Sequence, residues 1–590
     1  MTAFDASAVL AGLDAAARAA LIKAGRPVLT RAGADLLVEG APNGDAHVVL
    51  SGSFSIRRGG VLVHTARMGE IIGDLSLLTG RPSSATVTAR RDATTLCIPH
   101  IAVDAALATS AGGTRRLAEH LAGLVADAAP PAIPVAEPVR VIALISPCHV
   151  DDAGLVEEIG RGLAAGLAHL DVAVVAEIGP STDPDGEVFA GDLASIEDAH
   201  DLVVLLATGD PAWVSACRRQ ADLVMIVVDP AACSPPRRAA PTTAEGAPVH
   251  LLLVHAGRPR DAMPWLRTTG ASTVHHVSAA APSAERDLAR VARLVTGRGV
   301  TLVLGGGGPR GFAHIGVVRA LVQRGIPIDA VGGTSIGSLM AAAVAMGWSP
   351  EEIEARAYDG LVRTKGLLSP TLPLVSLSSG RTVTRLLRSE RLFGEVQAED
   401  LGLPWFAVAA SLDRAEAVVL DRGPVWRAVR ASTALPGVLP PVPDGDDLLV
   451  DGGVIDDLPV GIMRHRHGGT VLAVDLQPDG DLPPPGYTGP HLSGWRLAGQ
   501  MVRRRGWVPG VPNLVEIVLR SKEVGGRRAQ RIALDADAPD VVFRPPVGDV
   551  PALEFKAATH LVAIGERHAH AVLDALEAAG RSPGAEHKGE

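Results

Sequence analysis

The chain has 590 residues, of which 47% are hydrophobic and 20% are charged, so it carries enough apolar material for several packed domains. This composition excludes an intrinsically disordered chain and a small disulfide-stabilised protein. Lys and Arg together number 55 against 65 Asp and Glu, and the resulting net charge of −10 offers no overall positive field for a nucleic acid.

Targeting and metal-binding signals are weak along the chain. The first residues contain neither the basic nor the apolar segment of a secretion signal, and no apolar run approaches the roughly 20 residues of a membrane-spanning helix. The 4 cysteines are scattered without a Cys-x-x-Cys pair, which predicts a reducing compartment and no metal site. We therefore expect a cytoplasmic protein without a cofactor, associated at most peripherally with the inner face of a membrane. These patterns do not encode the oligomeric state.

Residues 1–127 are predicted to form a small β-roll with flanking helices. Short alternating stretches such as His47–Leu50 and Ser53–Ile56 are separated by glycine turns, which is typical of antiparallel strands. Helical patterns lie on either side, at Ala15–Ala24 and Thr114–Val125. Residues 128–138, rich in Ala and Pro, are predicted to be a linker.

Residues 139–299 are predicted to form a central, doubly wound α/β unit. Apolar runs of the kind found in buried parallel strands recur here and alternate with helical stretches such as Leu155–Leu167. The runs are Val139–Ile145, Val172–Ala176, Leu202–Leu206, Leu223–Val228 and Val249–Val254. The first turn, Ser146–His149, has no glycine-rich phosphate loop, so nothing in it supports a nucleotide site.

A second α/β series occupies residues 300–580 and precedes a polar tail, 581–590. Near its start, the apolar stretch Ala330–Gly332 leads into a Gly-x-Ser-x-Gly turn centred on Ser335 and then into a helix of small residues. This is the spacing of a nucleophile elbow, in which Gly333 and Gly337 avoid collisions with the neighbouring strand and helix. The alternative is an ordinary turn between a strand and a helix, because Gly, Ser and Thr are common turn residues.

A glycine-rich loop, Gly305–Gly311, follows the preceding apolar strand. One interpretation is a dinucleotide fingerprint, with Asp329 near the offset of a ribose-binding acid. That acid should end the second strand, however, and Asp329 stands before it. A purely structural turn is another interpretation, although four successive glycines carry an entropic cost that a turn alone does not require.

The interpretation that we favour for this loop is an oxyanion hole. Gly307 and Gly308 offer backbone N–H groups to a developing negative charge, and Pro309 has none to offer. Arg310 could orient or neutralise an ester or phosphate oxygen.

A serine nucleophile needs a base, and Asp451 is the candidate. It follows the apolar run Leu448–Val450 and precedes Gly452 and Gly453, so we expect it at the same sheet edge as Ser335. The alternative is an Asp-Gly turn, which is the commoner use of that dipeptide.

Three histidines also lie near these motifs. His465 and His467 would complete the Ser-Asp-His order of α/β-hydrolases, but both belong to a polar helix end where a solvated position is expected. His314, beside the glycine loop, is expected to pack or to cap.

Together these motifs resemble the patatin-like phospholipase family, and more closely its neuropathy target esterase branch. The resemblance covers roughly residues 300–573 and rests on the stretches LVLGGGGPRGFAHIGVVRAL, VGGTSIGSLMAA, VRASTALPGVLPPV, VDGGVIDDLPV and FRPPVG.

The family implies a patatin-like α/β hydrolase domain with a Ser–Asp dyad and no catalytic histidine. By this resemblance, Ser335 is expected to attack the ester carbonyl and Asp451 to take the proton of its hydroxyl. The residues expected to form the oxyanion hole are Gly306, Gly307, Gly308 and Arg310. The implied substrates are acyl esters of phospholipids and lysophospholipids.

The N-terminal block is similar to cyclic-nucleotide-binding domains, since Gly69–Thr86 follows their phosphate-cassette pattern and includes Gly73 at the candidate site. Two positions depart from that pattern. Asp74 stands where the family has a ribose-binding Glu, and Ser83 stands where it has the Arg that pairs the cyclic phosphate, although Arg81 lies close by. The resemblance implies a degenerate regulatory or docking module, for which a cyclic nucleotide is the candidate partner.

Two stretches suit transient contact with a membrane surface. Leu367–Leu377 is apolar without a helical period, which suits a lid or an interfacial loop, and Leu492–Val508 combines two tryptophans with three consecutive arginines. Core packing and a solvated helix end are the alternatives.

The sequence thus predicts a multidomain α/β serine lipid hydrolase with an N-terminal roll, requiring no metal. The alternative is a cyclic-nucleotide sensor in which the hydrolase is secondary, and a dinucleotide-binding protein is a third hypothesis.

Overall fold

The computed structural model describes residues 15–73, 76, 81–109, 139–147, 153–176, 187–235, 247–364, 369–477, 493–504, 517, 537–548 and 557–581. The chain divides into two compact units, Met1–Arg298 and Gly299–Glu590. The predicted linker 128–138, the predicted helix Thr114–Val125 and all but the first residue of the predicted tail 581–590 lie outside the described residues.

The first unit begins with a β-roll, as predicted. Its elements are α1 (Ala15–Ala24), β1 (Arg26–Thr30), β2 (Asp35–Leu37), β3 (Asp45–Ser51), β4 (Phe54–Arg58), β5 (Val61–Ala66), β6 (Ile71–Ile72), β7 (Thr86–Ala89), β8 (Ala93–Pro99) and α2 (His100–Thr109). The described strands pair antiparallel in two sheets, of order β1-β8-β3-β6 and β2-β7-β4-β5. Inward-facing apolar residues such as Val49, Phe54 and Val87 form one of the roll's clusters.

A parallel α/β unit follows the roll. Its elements are β9 (Val141–Ile145), α3 (Ala153–Ala165), β10 (Val172–Val175), α4 (Glu187–Ala199), β11 (Leu202–Ala207), α5 (Pro211–Gln220), β12 (Leu223–Val228), β13 (Val249–His255), α6 (Ala262–Thr269), β14 (Thr273–Ser278) and α7 (Ser283–Val295). The strand order is β10-β11-β9-β12-β13-β14, and every described pair is parallel. Helices cover both faces, so the central strands are apolar along their whole length.

Two features of this unit differ from the expectations. Strand β14 was not predicted, because its two central histidines interrupt the apolar run. In the structure one of them, His276, hydrogen-bonds to His255 of the neighbouring strand β13 at 2.9 Å. Cys97 and Cys217 are free, but Cys233 is disulfide-bonded, contrary to the expectation of reduced thiols. Cysteine spacing could not reveal this, since disulfide formation depends on proximity in the fold.

Buried ion pairs join the roll to the α/β unit. Arg91 donates to both carboxylate oxygens of Glu197 at 2.9 and 2.7 Å, and Arg219 donates to Asp92 at 3.1 Å. A bidentate pair in a buried setting fixes orientation as well as contributing energy. Within the first unit, the roll is therefore held against the α/β unit by charge pairs.

The second unit is built on one mixed sheet. Its elements are β15 (Val300–Leu304), a 3₁₀ turn (Gly308–Gly311), α8 (Phe312–Gln323), β16 (Ala330–Thr334), α9 (Ile336–Ala345), α10 (Pro350–Ala357), a π turn (Tyr358–Val362), α11 (Arg381–Leu387), a 3₁₀ turn (Ala398–Asp400), β17 (Trp405–Ser411), β18 (Ala417–Leu420), α12 (Val425–Ser432), β19 (Val442–Asp444), β20 (Asp447–Asp451), a 3₁₀ turn (Gly452–Val454), α13 (Val460–His467), β21 (Thr470–Val474), α14 (Gly494–Arg504), β22 (Val541–Phe543) and α15 (Ala558–Ala578). The described strands have the order β19-β20-β17-β16-β15-β21-β22, and β18 pairs with β17.

Strands β17, β16, β15, β21 and β22 run parallel, whereas β18 and β20 run antiparallel to β17. The carboxyl ends of β15 and β16, which carry the two glycine motifs, are therefore neighbours at one edge of the sheet. Within the part of the chain that the structure describes, none of the helices combines the length and apolar character needed to cross a bilayer.

Helices α8 and α15 pack in direct contact on this sheet. A Cβ atom at Gly316 would lie 2.0 Å from the carbonyl oxygen of Val562, and one at Gly565 would lie 2.1 Å from that of Ala313. Glycine at both positions lets the two backbones approach, which holds the start of α8 and the glycine loop in place.

Candidate active site

The Gly-x-Ser-x-Gly motif forms a sharp turn between β16 and α9. Ser335 has φ 55° and ψ −126°, a strained conformation for a residue with a side chain. A Cβ atom at Gly333 would lie 2.4 Å from the carbonyl oxygen of Leu304, and one at Gly337 would lie 2.0 Å from the same oxygen. An ordinary turn needs neither the strain nor the two glycines, so the geometry favours the nucleophile-elbow interpretation.

The turn directs the Ser335 hydroxyl to Asp451. Ser335 Oγ donates to Asp451 Oδ2 at 2.7 Å, and Asp451 Oδ1 accepts the backbone N–H of Gly453 at 2.9 Å. The carboxylate is 2% exposed, so it is shielded from bulk water. A buried acceptor at this distance can take the hydroxyl proton as the oxygen attacks.

The strand that carries Asp451 runs in a direction that the Asp-Gly-Gly motif does not predict. It ends β20, which runs antiparallel to β17, and it pairs with Ala409 in the middle of β17. Val408, the neighbour of Ala409, pairs with Thr334 at the end of β16. Asp451 therefore lies level with the elbow although β20 runs the opposite way.

Gly452 permits this close approach. A Cβ atom there would lie 2.2 Å from the carbonyl oxygen of Val408, so the chain after Asp451 passes directly over β17. The Asp-Gly-Gly sequence thus serves both to turn the chain and to fix the carboxylate, through the Gly453 N–H.

Ser432 is a contact that the sequence reasoning missed. Its hydroxyl accepts the backbone N–H of Ser335 at 2.9 Å and donates to the carbonyl of Val408 at 2.6 Å. Ser432 is the last residue of α12 and is fully buried. It lies within the VRASTALPGVLPPV stretch, but its role depends on how α12 packs, which that stretch does not show.

The glycine loop has two kinds of backbone N–H group. Those of Gly305 and Gly306 donate to the carbonyls of Val474 at 3.0 Å and Asp457 at 3.1 Å. Those of Gly307 and Gly308, which are half-buried, have no acceptor among the described residues. Of the predicted oxyanion donors, Gly307 and Gly308 are thus available, while Gly306 is already engaged; Arg310 is half-buried beside them.

The side chains of Asp329 and His314 contact backbone groups near the two ends of β15. Asp329 Oδ2 accepts the N–H of Val300 at 2.8 Å, so this acid anchors the start of β15 rather than a ribose. His314 Nε2 contacts the Gly305 carbonyl at 2.8 Å, and complete burial lowers the pKa of its imidazole to about 4. His314 is therefore neutral at pH 7.

His465 and His467 lie in the last turn of α13, where His465 is exposed and His467 is half-buried. The described group that accepts the hydrogen bond of the Ser335 hydroxyl is the carboxylate of Asp451.

Two adjacent acids, the half-buried Asp456 and the buried Asp457, lie behind the glycine loop. Burial, with the nearby Asp457 carboxylate, raises the pKa of Asp456 to about 6. The carbonyl of Asp456 accepts the Thr334 hydroxyl at 2.9 Å, and a Cβ atom at Gly306 would lie 2.4 Å from Asp457 Oδ1. Asp456 thus binds the residue that precedes Ser335, and Asp457 lies directly against the glycine loop.

The predicted nucleotide cassette of the roll is only partly described. Gly73 has φ 88°, and a Cβ atom there would lie 2.7 Å from Asn43 Nδ2; Asp74 lies outside the described residues. The Ser83 hydroxyl is buried and donates to the Ala85 carbonyl at 2.8 Å, whereas Arg81 is exposed. Over the described ranges, His, Cys, Asp and Glu side chains form no group able to hold a metal ion.

Two family models match the chain: patatin-like phospholipase over residues 302–464, and cyclic nucleotide-binding domain over residues 28–110. These matches confirm the predicted C-terminal and N-terminal resemblances.

Several curated proteins are similar over a longer range. An uncharacterized NTE family protein of Mycobacterium tuberculosis is 30% identical over 91% of this chain and 90% of its own length. Lysophospholipase NTE1 of Yarrowia lipolytica is 29% identical over 87% of this chain, and patatin-like phospholipase domain-containing protein 6 of Homo sapiens is 33% identical over 65%. The matches span 41% and 30% of the lengths of those last two proteins, which are much longer than this chain.

Proposed function

This chain belongs to the NTE family, and we propose that it hydrolyses acyl esters of phospholipids or lysophospholipids with Ser335 as nucleophile and Asp451 as base. The observation that carries the proposal is the 2.7 Å hydrogen bond from Ser335 Oγ to Asp451 Oδ2 at a strained strand-to-helix turn. The substrate class is supported by the patatin-like phospholipase match and by the lysophospholipase named among the relatives.

In the first half of the reaction, Ser335 Oγ attacks the ester carbonyl while Asp451 takes the hydroxyl proton. The carbonyl oxygen becomes an oxyanion, to which the N–H groups of Gly307 and Gly308 donate, and the positive end of α9 favours the same charge. Collapse of this intermediate breaks the ester bond, and the proton held by Asp451 passes to the departing alcohol. An acyl group then remains on Ser335.

In the second half, water attacks the acyl-enzyme. Asp451 takes a proton from the water as it adds to the carbonyl, and the same N–H groups stabilise the second oxyanion. Release of the fatty acid returns the proton to Ser335 Oγ. A carboxylate has a low reference pKa and is a weak base, so the two backbone donors carry much of the catalysis, about 3–4 kcal/mol for one well-placed donor.

The test is a panel of phospholipids and lysophospholipids incubated with the purified protein, with release of free fatty acid as the readout. The Ser335→Ala protein is the blank, because its hydroxyl is absent while its fold is kept. Fatty acid released by the unaltered protein alone supports the proposal. Equal release by Ser335→Ala, or none from any lipid or soluble ester, contradicts it.

A further inference from the structure

One loop of the second unit exposes large apolar side chains in an unusual concentration. In residues 369–377, Leu372 is 73% exposed, Leu374 is 84% exposed and Val375 is 70% exposed. Single exposed apolar residues are common on soluble proteins, but three within four positions at the tip of one loop form a continuous apolar surface. We define the docking tip as these three residues.

Backbone hydrogen bonds at the base of the loop fix the position of the docking tip. Pro370 and Ser378 pair as an antiparallel bridge, and the Thr371 N–H donates to the Leu377 carbonyl at 3.2 Å. Ser376 and Ser378, at the base, are buried, whereas the tip residues are not. The loop is therefore a formed hairpin with a fixed base and an exposed apolar end.

The base of this hairpin is bonded to the segment that holds the catalytic acid. The N–H groups of Leu377 and Ser378 donate to the carbonyls of Gly437 at 2.8 Å and Val438 at 3.0 Å. Three residues before Gly437, the carbonyl of Ala434 accepts the N–H of Asp451 at 3.0 Å. A short, hydrogen-bonded stretch thus connects the docking tip to the candidate active site.

Two exposed cations follow the hairpin directly. Arg381 and Arg385 lie one helical turn apart on α11, on the same face, and neither has an acidic partner among the described residues. An apolar tip followed along the chain by two arginines that have no acidic partner among the described residues is complementary to a bilayer surface, where acyl chains lie beneath phosphate groups.

We propose that the hairpin 369–378 docks the enzyme on a phospholipid bilayer, with Leu372, Leu374 and Val375 inserted among the acyl chains and with Arg381 and Arg385 on the headgroup phosphates. This inference rests on the proposed function, since docking brings lipid esters next to Ser335. The hairpin would then be the surface through which the enzyme takes lipid substrates from the bilayer.

The test measures binding to vesicles apart from hydrolysis. The Ser335→Ala protein is sedimented with phosphatidylcholine vesicles, with and without phosphatidylserine, and the bound fraction is measured. We expect Leu372→Ser with Leu374→Ser, made in that background, to weaken the partition by at least about tenfold on both vesicles. The matched control is Ile101→Ser, which removes an 83% exposed side chain from the first unit and should leave the partition unchanged.

The arginines are tested separately. Arg381→Gln with Arg385→Gln should weaken binding to the phosphatidylserine vesicles more than to phosphatidylcholine alone, because only the first carry net negative charge. Unchanged vesicle binding in the Leu372→Ser, Leu374→Ser protein overturns the proposal, and so does the absence of any binding by Ser335→Ala. Self-association in the absence of vesicles, lost in the same variant, assigns the tip to a second copy and also overturns it.

Hydrolysis of a soluble short-chain ester separates the two proposals. The Leu372→Ser, Leu374→Ser protein with Ser335 intact should retain this activity within about twofold, because residues that are 73% and 84% exposed contribute little to packing. If the unaltered protein releases fatty acid from no lipid and cleaves no soluble ester but binds vesicles through the tip, the proposed function fails and docking stands. If it cleaves the ester and the tip variants still bind vesicles, only the docking proposal fails.

Discussion

The backbone N–H of Ser335 donates to the hydroxyl of Ser432 at 2.9 Å, and that hydroxyl in turn donates to the carbonyl of Val408 at 2.6 Å. The elbow is thus held from its backbone by α12 and β17, while its side chain is directed to Asp451. The strained φ of 55° at Ser335 persists because these contacts oppose its relaxation.

Ser432→Ala should lower kcat on a soluble ester by about tenfold to a hundredfold and leave KM nearly unchanged, since it loosens the nucleophile and not the substrate pocket. It should also lower the free energy of unfolding by about 1–3 kcal/mol, because the Ser335 N–H loses its buried acceptor. Steady-state kinetics and urea unfolding measure the two effects.

The matched control for this variant is Ser411→Ala. Ser411 is 3% exposed, accepts the N–H of Arg414 at 2.9 Å and donates to Asp447 at 2.8 Å, so it has the same bonding pattern away from the elbow. Its loss should destabilise the fold without changing kcat. Equal loss of kcat in the two variants would argue that Ser432 has no specific positioning role.

Gly337→Ala should abolish activity and destabilise the second unit by at least about 1–3 kcal/mol, because the added methyl would lie 2.0 Å from the Leu304 carbonyl oxygen. Thermal unfolding and ester hydrolysis provide the readouts. Gly494→Ala is the control, since a Cβ atom there meets no atom of the described residues within 4 Å. A Gly337→Ala protein with unaltered melting temperature and activity would exclude the tight turn described above.

Asp456→Asn should stabilise the protein at pH 8 and lose that advantage as the pH falls from about 6 towards 4. Burial raises the pKa of Asp456 to about 6, so the folded state binds its proton more tightly than the unfolded state does. The wild-type carboxyl therefore favours folding below its unfolded pKa and ceases to do so as the pH rises through 6. The gain at pH 8 has a ceiling of about 3 kcal/mol.

Urea unfolding at pH 4 and pH 8 measures this difference. The exposed Asp413 provides a control, and Asp413→Asn should change stability little at either pH. A stabilisation by Asp456→Asn that is as large at pH 4 as at pH 8 would show that burial of the charge is not its cause.

Cyclic AMP and cyclic GMP should give no saturable heat in calorimetry, even at millimolar concentration. The Ser83 hydroxyl donates to the Ala85 carbonyl and supplies no cation for the cyclic phosphate. Saturable heat would restore the sensor hypothesis, and its loss in Arg81→Ala would identify the exposed Arg81 as the phosphate partner.

The sequence predicted the fold class because antiparallel strands of a roll and buried parallel strands differ in how their apolar residues are spaced. The roll shows alternation, as in Ser53–Ile56, while buried parallel strands such as Leu202–Ala207 are apolar throughout. The glycine motifs predicted a turn at Ser335 because only glycine tolerates the contacts found at 333 and 337. Patterns of this kind can be recognised within a short stretch of sequence.

What the sequence could not show depends on packing between distant segments. Nothing near Asp451 indicates that β20 runs antiparallel to β17, yet the carboxylate still reaches Ser335. Nothing in the glycine loop shows that the N–H of Gly306 donates to the carbonyl of Asp457 while those of Gly307 and Gly308 have no acceptor among the described residues. The Ser432 contact is of the same kind, since α12 brings it from 97 residues away.

The most direct test of the central claim is labelling by a fluorophosphonate, with the modified residue located by mass spectrometry. We predict that the probe attaches to Ser335, that Ser335→Ala takes up none, and that Asp451→Asn reacts at least about a hundredfold more slowly while His465→Ala and His467→Ala react normally. Attachment at another residue, or an Asp451→Asn protein labelled as fast as the unaltered one, would contradict the account.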